Sequence, residues 1–287
     1  MTRRLSGRED IIQFLSTLDE WVTTEIDVYL IGGAAMTVTG LKDQTKDIDL
    51  VLASPEQYTA IKHALLNNEF TTTAIPTETE PTRGETIRLE REDGYQLDIF
   101  EHQIVGRARL TETMQTRANS FWTGTTVSAH ILADEDMLFL KLLAAGDLNA
   151  NRRRDLNEVT AYIRRAPDYD IIINEINAQR PFNTGELEHK HLLSKNHPLI
   201  CLDRATTSLS QSLPQTFVNQ LSDIASESEL EFHVLNALHD GQTTEQAIIT
   251  GLKTHQSHLE NVTDRVPDAL NRLRNKEIIT NNNKLRV

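Results

Sequence analysis

The sequence predicts an α+β protein: a small mixed-sheet domain, then a helical segment, then a compact C-terminal module. Three observations carry this. "DVYLIGG" and "DIDLVLA" read as strands with a short helix between them. "ETIRLERED" and "YQLDIFEH" meet at Asp93-Gly94, a strong hairpin signal. From Asp134 onward, apolar residues recur at helical spacing rather than alternating. The pattern divides the chain into 1–166, 167–225 and 226–287.

Taken in order, Ser6 and Glu9 have capping-box spacing before "IIQFLSTLDEWV", whose Ile11, Ile12, Leu15, Leu18 and Val22 form one stripe. The strand Asp27–Gly33 runs into a glycine turn, and "AAMTVTG" is a short helix ending at Gly40. After the strand Asp47–Ala53, Ser54 is an N-cap, Pro55 takes the first helical position, and "EQYTAIKHALLNN" continues the helix. The hairpin strands follow. Asp134 caps "EDMLFLKLLAAG", and "RRRDLNEVTAYIRRA" is a helix stopped by Pro167. Residues 168–225 read as mostly helical, with polar breaks at "RPFNTGE" and "SKNHP", and a last unit starts near Ser226.

Bulk properties narrow the function classes. A chain of 287 residues is long enough for two cores. The opening "MTRRLSGRED" has no apolar stretch behind its arginines, so no secretory signal is expected. The most apolar stretch, "MLFLKLLAA", is short and carries Lys141, so no membrane span is expected either. Cys201 is the single cysteine. It excludes an internal disulfide and a multi-cysteine zinc site, and it fits a reducing cytoplasm. A net charge of −13 means that any nucleic-acid contact must be local. The same acidity, with arginine outnumbering lysine, reads either as halophilic adaptation or as an ordinary acidic cytosolic surface.

The chemistry sits in "LIGGAAMTVTGLKDQTKDIDLVL". Residues i and i+2 of a strand share a face, so Asp47 and Asp49 point the same way, roughly 7 Å apart, while Ile48 points into the core. Burying two like charges is unfavourable unless something positive meets them. Asp98 in "YQLDIF" is a third strand-borne acid. If its strand neighbours that of Asp49, three carboxylates converge. Such a cluster suits a hard divalent cation shared with substrate phosphates. Two such ions about 3.5–4 Å apart can clamp an in-line phosphoryl transfer. Gly32 and Gly33 would let the backbone approach a phosphate, with the N–H groups of the next helix turned toward it.

Gly32-Gly33, then Thr45-Lys46-Asp47-Ile48-Asp49, then Asp98 resembles the polymerase-beta-type nucleotidyltransferase superfamily. More narrowly, it resembles the minimal nucleotidyltransferases of abortive-infection and toxin–antitoxin systems, over roughly residues 8–166. The resemblance implies that Asp47 and Asp49 bind metal, Mg²⁺ or Mn²⁺, and that Asp98 is a further ligand or a general base. It implies nucleotide contacts at Gly32, Gly33, Thr45 and Lys46. Family members typically carry Gly-Ser where this chain has Gly32-Gly33, and that serine hydroxyl often touches the triphosphate.

"FLKLLAAGDLNANRRRDLNEV" adds a second signal. Lys141 lies in an apolar helix, where an unpaired ammonium is unfavourable. It either snorkels, pairs with Glu135 or Asp136, or reaches a cleft to meet the β- and γ-phosphates. Spacings of six and five do not return to the same helix face. In toxin-like nucleotidyltransferases a helix lysine followed by a basic residue and an aspartate has a comparable place, which Lys141 and Arg154-Asp155 match. Arg152, Arg153 and Arg154 form a solvated turn or, as a set, guide a nucleic-acid acceptor. His189, His191 and His197 lack a completing acid or cysteine and read as a solvated face.

From Ser226, "ESELEFHVLNALHDG" and "TTEQAIITGL" read as helices, with Leu230, Val234, Leu235 and Leu238 inward. "DRVPDALNRLRNKEIITNNNKLRV" resembles the last helix and wing of a winged helix-turn-helix, with Val266, Leu270 and Leu273 inward and Asn271, Arg272, Arg274 and Asn275 outward. Arg272, Arg274, Lys276, Lys284 and Arg286 stand against Glu277, a local charge of +4. Arg272, Arg274, Lys284 and Arg286 are therefore candidate DNA contacts, although winged helices also dock proteins.

The expected activity is transfer of a nucleoside monophosphate from an NTP to a hydroxyl of RNA (a tRNA) or of a protein, with a dedicated antitoxin as partner and a cytoplasmic site of action. The alternatives are a DNA-binding regulator on a catalytically weak scaffold, and a nucleotidyltransferase acting on small molecules.

Overall fold

The computed structural model describes residues 6–74, 86–104, 108–147, 152–179, 198–256, 259–275 and 277–285. His189, His191, His197, Lys276 and Arg286 lie outside them, as do the side chains of Arg152, Arg153 and Arg154. The chain divides into two compact units. One is Met1–Ala144 with Arg153–Gln179, and the other is Ala145–Arg152 with Arg180–Val287. Among the described residues no helix is long and apolar enough to cross a membrane.

The first unit is built on a seven-stranded mixed sheet. It begins with α1 (Arg8–Trp21), β1 (Ile26–Ile31), α2 (Gly32–Val38), β2 (Ile48–Leu52), α3 (Pro55–Leu66) and β3 (Thr71–Ala74). Next come β4 (Thr86–Glu90), β5 (Gln96–Glu101), the two-residue strands β6 (Gln103–Ile104) and β7 (Ala108–Arg109), and α4 (Glu112–Arg117). The hairpin β8 (Asn119–Thr123) and β9 (Val127–Ile131) precedes α5 (Asp134–Ala145), α6 (Arg152–Ile163) and α7 (Tyr169–Ala178). The sheet order is β3-β4-β5-β2-β1-β9-β8. β1 with β9 and β2 with β5 are parallel, and the other pairs are antiparallel.

Local signals explain several boundaries. Ser54 accepts the Gln57 N–H at 3.3 Å and Pro55 opens α3, as their order predicts. The start of α1 differs from expectation. Ser6 exchanges both backbone hydrogen bonds with Thr45, at 2.8 and 2.9 Å, so it is held in extended pairing. The cap moves to Gly7, whose N–H donates to Asp10 Oδ2 at 3.0 Å. Asp19 closes the turn of β8 and β9 by accepting the backbone N–H groups of Thr125, Thr126 and Val127 at 2.7–2.9 Å.

The β4–β5 hairpin also differs, with consequences for the site. A two-residue Asp93-Gly94 loop would pair Arg88 with Ile99. The loop instead has three residues: Arg91 accepts the Gly94 N–H at 2.9 Å and donates to Tyr95 at 3.0 Å, while Gly94 sits at φ +90°. This is a turn followed by a left-handed bulge residue, which glycine alone adopts readily. The added residue shifts the register by one and sets Arg88 opposite Asp98.

The second unit holds α8 (Pro198–Ser208), α9 (Gln215–His239), α10 (Glu245–His255) and α11 (Val262–Asn275). α9 runs unbroken through Ser226, where the sequence suggested a new unit. Its first half buries Phe217, Leu221 and Ile224, and its second half contributes Leu230, Val234, Leu235 and Leu238 to the core with α10 and α11. Val266, Leu270 and Leu273 are buried in that same core. Ile279 and Leu285 form an antiparallel bridge, with Thr280 donating to Lys284 at 2.8 Å. Arg272, expected to face outward, donates to Oε1 of the buried Glu231 at 2.6 Å. Arg274 donates to Asn271 and Asn283, each at 2.6 Å. Cys201 is buried, with its backbone so close to Gly146 that a Cβ there would overlap it.

Candidate active site

Strand register brings the acids together. Asp49 on β2 lies directly beside Asp98 on β5, and Asp98 lies directly opposite Arg88 on β4. Directly paired residues share a face of the sheet, so these side chains form a row across three strands. Asp47 stands two positions before Asp49, in the segment leading into β2. Ile48, Leu50 and Leu52 alternate to the opposite face and are fully buried.

Gly32 and Gly33 serve the carboxylates more directly than expected. Gly32 sits at φ +59°, and a Cβ there would lie 2.1 Å from Asp49 Oδ2. The Gly33 N–H donates to the Asp49 carboxylate. A Cβ on Gly33 would lie 2.2 Å from Thr45 Oγ1. Thr45 is buried, pinned by its bridge to Ser6, and its hydroxyl donates to the Asp47 carbonyl at 2.9 Å. The glycine pair therefore makes room for Asp49 and Thr45. Gly33→Ala is expected to destabilise the chain by about 1–3 kcal/mol through overpacking. Adding Thr45→Ala should recover part of that loss. Urea melts of the two single variants and the double variant measure it, and strictly additive losses would refute the contact.

The electrostatics of the row are unbalanced. Burial, then repulsion from Asp47 and Asp98, push the Asp49 carboxyl up to about 8, against opposing pulls from Lys141 and the Gly33 N–H. Asp49 keeps a partial opening to solvent, as does Asp47, while Asp98 is buried. Arg88 holds Asp98 by a fork, Nε to Oδ1 at 2.6 Å and Nη2 to Oδ2 at 2.5 Å. That hydrogen bonding, despite partial burial, drives the Arg88 guanidinium further toward its charged form, and the charges of Asp98, Asp47 and Asp49 add to it.

Lys141 is buried, and its partner is neither Glu135 nor Asp136. Its Nζ donates to Glu158 Oε2 at 2.6 Å, seventeen positions on and one helix away. The other oxygen of Glu158 accepts from Lys42. Burial alone would raise the Glu158 carboxyl, but the two lysines hold it below its ordinary value. Asp155 is buried on α6, and Lys46 is exposed. The sequence reading missed Arg88, Lys42 and Glu158.

Asp47 and Asp49 are oxygen donors of the kind a hard divalent cation takes. The two carboxylates gather more negative charge than Lys141 offsets, and both are partly open to solvent. Among the described residues no group of three His, Cys, Asp or Glu side chains stands close enough to hold an ion. A Mg²⁺-type ion tolerates this, because it keeps several waters and borrows oxygens from substrate phosphates.

No family model and no curated protein matches the chain. Among solved structures, JHP933 from Helicobacter pylori is 16% identical over 81% of this chain and 96% of its own, with a TM-score of 0.34. A candidate nucleotidyltransferase from H. pylori is 15% identical over 76% of this chain and 96% of its own, with a TM-score of 0.31.

Proposed function

We propose that this chain is a nucleotidyltransferase that moves a nucleoside monophosphate from an NTP onto a hydroxyl and releases pyrophosphate. The supporting observation is the juxtaposition of Asp49 and Asp98 in one register, with Asp47 two positions away and the charge of Lys141 acting on Asp49. Mg²⁺ or Mn²⁺ would be held by Asp47 and Asp49, and supplies charge neutralisation of the phosphates when bound. Lys141, held by Glu158 on a carboxylate it shares with Lys42, would meet the β- and γ-phosphates. The acceptor oxygen bonds to the α-phosphorus, and the bond from that phosphorus to the bridging β-oxygen breaks. The hydroxyl proton leaves to a carboxylate or to water, and the chain acts chiefly by positioning. Thr45 Oγ1 lies against the position where a Gly-Ser sequence would carry its serine, but it is buried and donates to the Asp47 carbonyl, so Thr45 would serve the nucleotide site by fixing the Asp47 segment.

The minimal, toxin-like branch is the proposed type, with a tRNA or a protein as acceptor, an antitoxin as partner and the cytoplasm as its site. Helices α9 to α11 and the Ile279–Leu285 hairpin are proposed to form a winged-helix-like module. With Arg272 held by Glu231 and Arg274 by Asn271 and Asn283, its DNA contacts would rest first on the exposed Lys284 among the described residues, and on Arg274 only if it left those partners. The test is label transfer from each α-labelled NTP, with Mg²⁺ and cell extract, comparing wild type with Asp47→Asn/Asp49→Asn. Label that survives in the double variant, or that no NTP donates, refutes the enzyme reading.

Lys141→Met gives a narrower check. The change takes from buried Glu158 its Lys141 partner, so a loss of about 1–3 kcal/mol in stability is expected. Lys141→Met/Glu158→Gln should regain most of that stability. Both variants should bind NTP several-fold more weakly by equilibrium titration. Wild-type NTP affinity in the double variant would remove Lys141 from the site.

A further inference from the structure

Arg88 has no part in the mechanism above, yet it is hydrogen-bonded to one of the three acids through both carboxylate oxygens. The pair is asymmetric. The Arg88 side chain is 45% exposed, whereas that of Asp98 is 11% exposed. The guanidinium therefore approaches from the open side of a carboxylate that the sheet holds still. A guanidinium fork matches carboxylate geometry in a way an ammonium does not. It engages both oxygens and brings a full positive charge beside them.

We infer that Arg88 is a positioning residue that keeps Asp98 outside the cation's ligand set, so that Asp98 joins Asp47 and Asp49 only when the fork opens. The inference rests on the reading of Asp47 and Asp49 as a divalent-cation site. Arg88 and the cation are alternative counter-charges for the same acid. A cation at Asp49 lies one strand from Asp98 and is repelled by the guanidinium as long as the fork is closed. Opening the fork sends Arg88 to solvent, which its exposure allows, while Asp98 stays in register beside Asp49. The three-residue hairpin loop is what places Arg88 there, since a loop one residue shorter would set Ile99 opposite it. If the pair only braced the hairpin, substitutions at either end would lower stability and leave cation affinity unchanged.

The test is Mn²⁺ titration of the full-length, nucleotide-free protein by calorimetry, with a thermal melt of every variant. Arg88→Met is expected to bind Mn²⁺ about tenfold more tightly than wild type, a coupling of ordinary size. Asp98→Asn alone should stay within about twofold of wild type, because its carboxylate is already masked, and Arg88→Met/Asp98→Asn should lose the gain. Arg88→Lys, which keeps the charge without the fork, should show a smaller gain, and it decides the matter if Arg88→Met does not fold. Unchanged or weaker binding in the folded Arg88 variants, with binding still dependent on Asp49, overturns the inference and leaves the cation site standing. No binding by wild type or by Arg88→Met overturns both.

Discussion

Asp49→Asn is expected to abolish nucleotide transfer and, in the same protein, to raise the melting temperature measured without metal. The loss follows from removing a carboxylate that holds the cation. Charge stabilisation of several kcal/mol makes it roughly a 10³-fold fall in turnover. The gain follows from the same charge. Asp49 is destabilised by burial and by Asp47 and Asp98, and asparagine keeps an oxygen for the Gly33 N–H without repelling them. The sign with pH is definite. The folded-state pKa lies above the unfolded value near 3.9, so wild type carries no penalty below about pH 4. The penalty grows as pH rises and is complete above about 8. The advantage of Asp49→Asn should therefore widen steadily from pH 5 to pH 8, by up to about 1.4 kcal/mol per pH unit, which is several degrees in a unit of this size. Calorimetry in EDTA at three pH values measures it. A variant that melts below wild type throughout would make Asp49 a structural acid and remove the basis for the cation.

The acids were legible because a period of two is unambiguous: Asp47 and Asp49 flank buried Ile48, and Asp98 flanks buried Leu97 and Ile99. Their meeting was conditional, since no sequence pattern states that β2 and β5 are parallel neighbours. Arg88 was hidden by one residue of loop length. Gly94 suits either a two-residue turn or the left-handed bulge of a three-residue loop, and the two choices place opposite faces of β4 against Asp98. Glu158 was hidden for a different reason. A search for the partner of Lys141 at helical spacings sees one helix, and the partner lies on the next. The β8–β9 hairpin drew no expectation at all. β8 is largely exposed edge, and β9 alternates Ser128 and His130 with its buried residues, so neither presents a long apolar run. In the second unit, a new unit was expected to begin near Ser226, but an exposed serine on the open side of a long helix does not interrupt it.

Arg117→Met is expected to be among the most destabilising single changes in the first unit, although it lies outside the row of acids. Arg117 donates to both oxygens of Asp136, at 3.1 and 2.5 Å, and to Glu175 Oε2 at 2.6 Å. Both acids are only 1% exposed at the side chain. Glu175 also accepts from Thr111, Thr113 and Gln179, so the network ties α4, α5 and α7 together. Removing the arginine leaves two buried carboxylates facing each other, a loss of about 3–5 kcal/mol. For a unit of this size that is roughly 10 °C in melting temperature. The acids respond differently to their surroundings. In Glu175 burial raises the carboxyl, but hydrogen bonds from Arg117, Thr111, Thr113 and Gln179 outweigh it and hold the group below its ordinary value. In Asp136 burial prevails over Arg117 and the group is raised. Glu175 therefore contributes stability above its unfolded pKa, near 4.3, and loses it as pH falls through the lower folded value. Asp136 works in the opposite sense. Without Arg117 both carboxyls move up, so the deficit of Arg117→Met should be greatest near pH 8 and shrink toward pH 4.5 as the acids take up protons. Arg117→Met/Asp136→Asn/Glu175→Gln, which removes all three charges, should recover most of the loss at pH 8. Urea melts of the full chain at the two pH values decide it. A deficit independent of pH, or a triple variant no better than the single, would mean that the packing of the Arg117 stem rather than its charge holds these helices together.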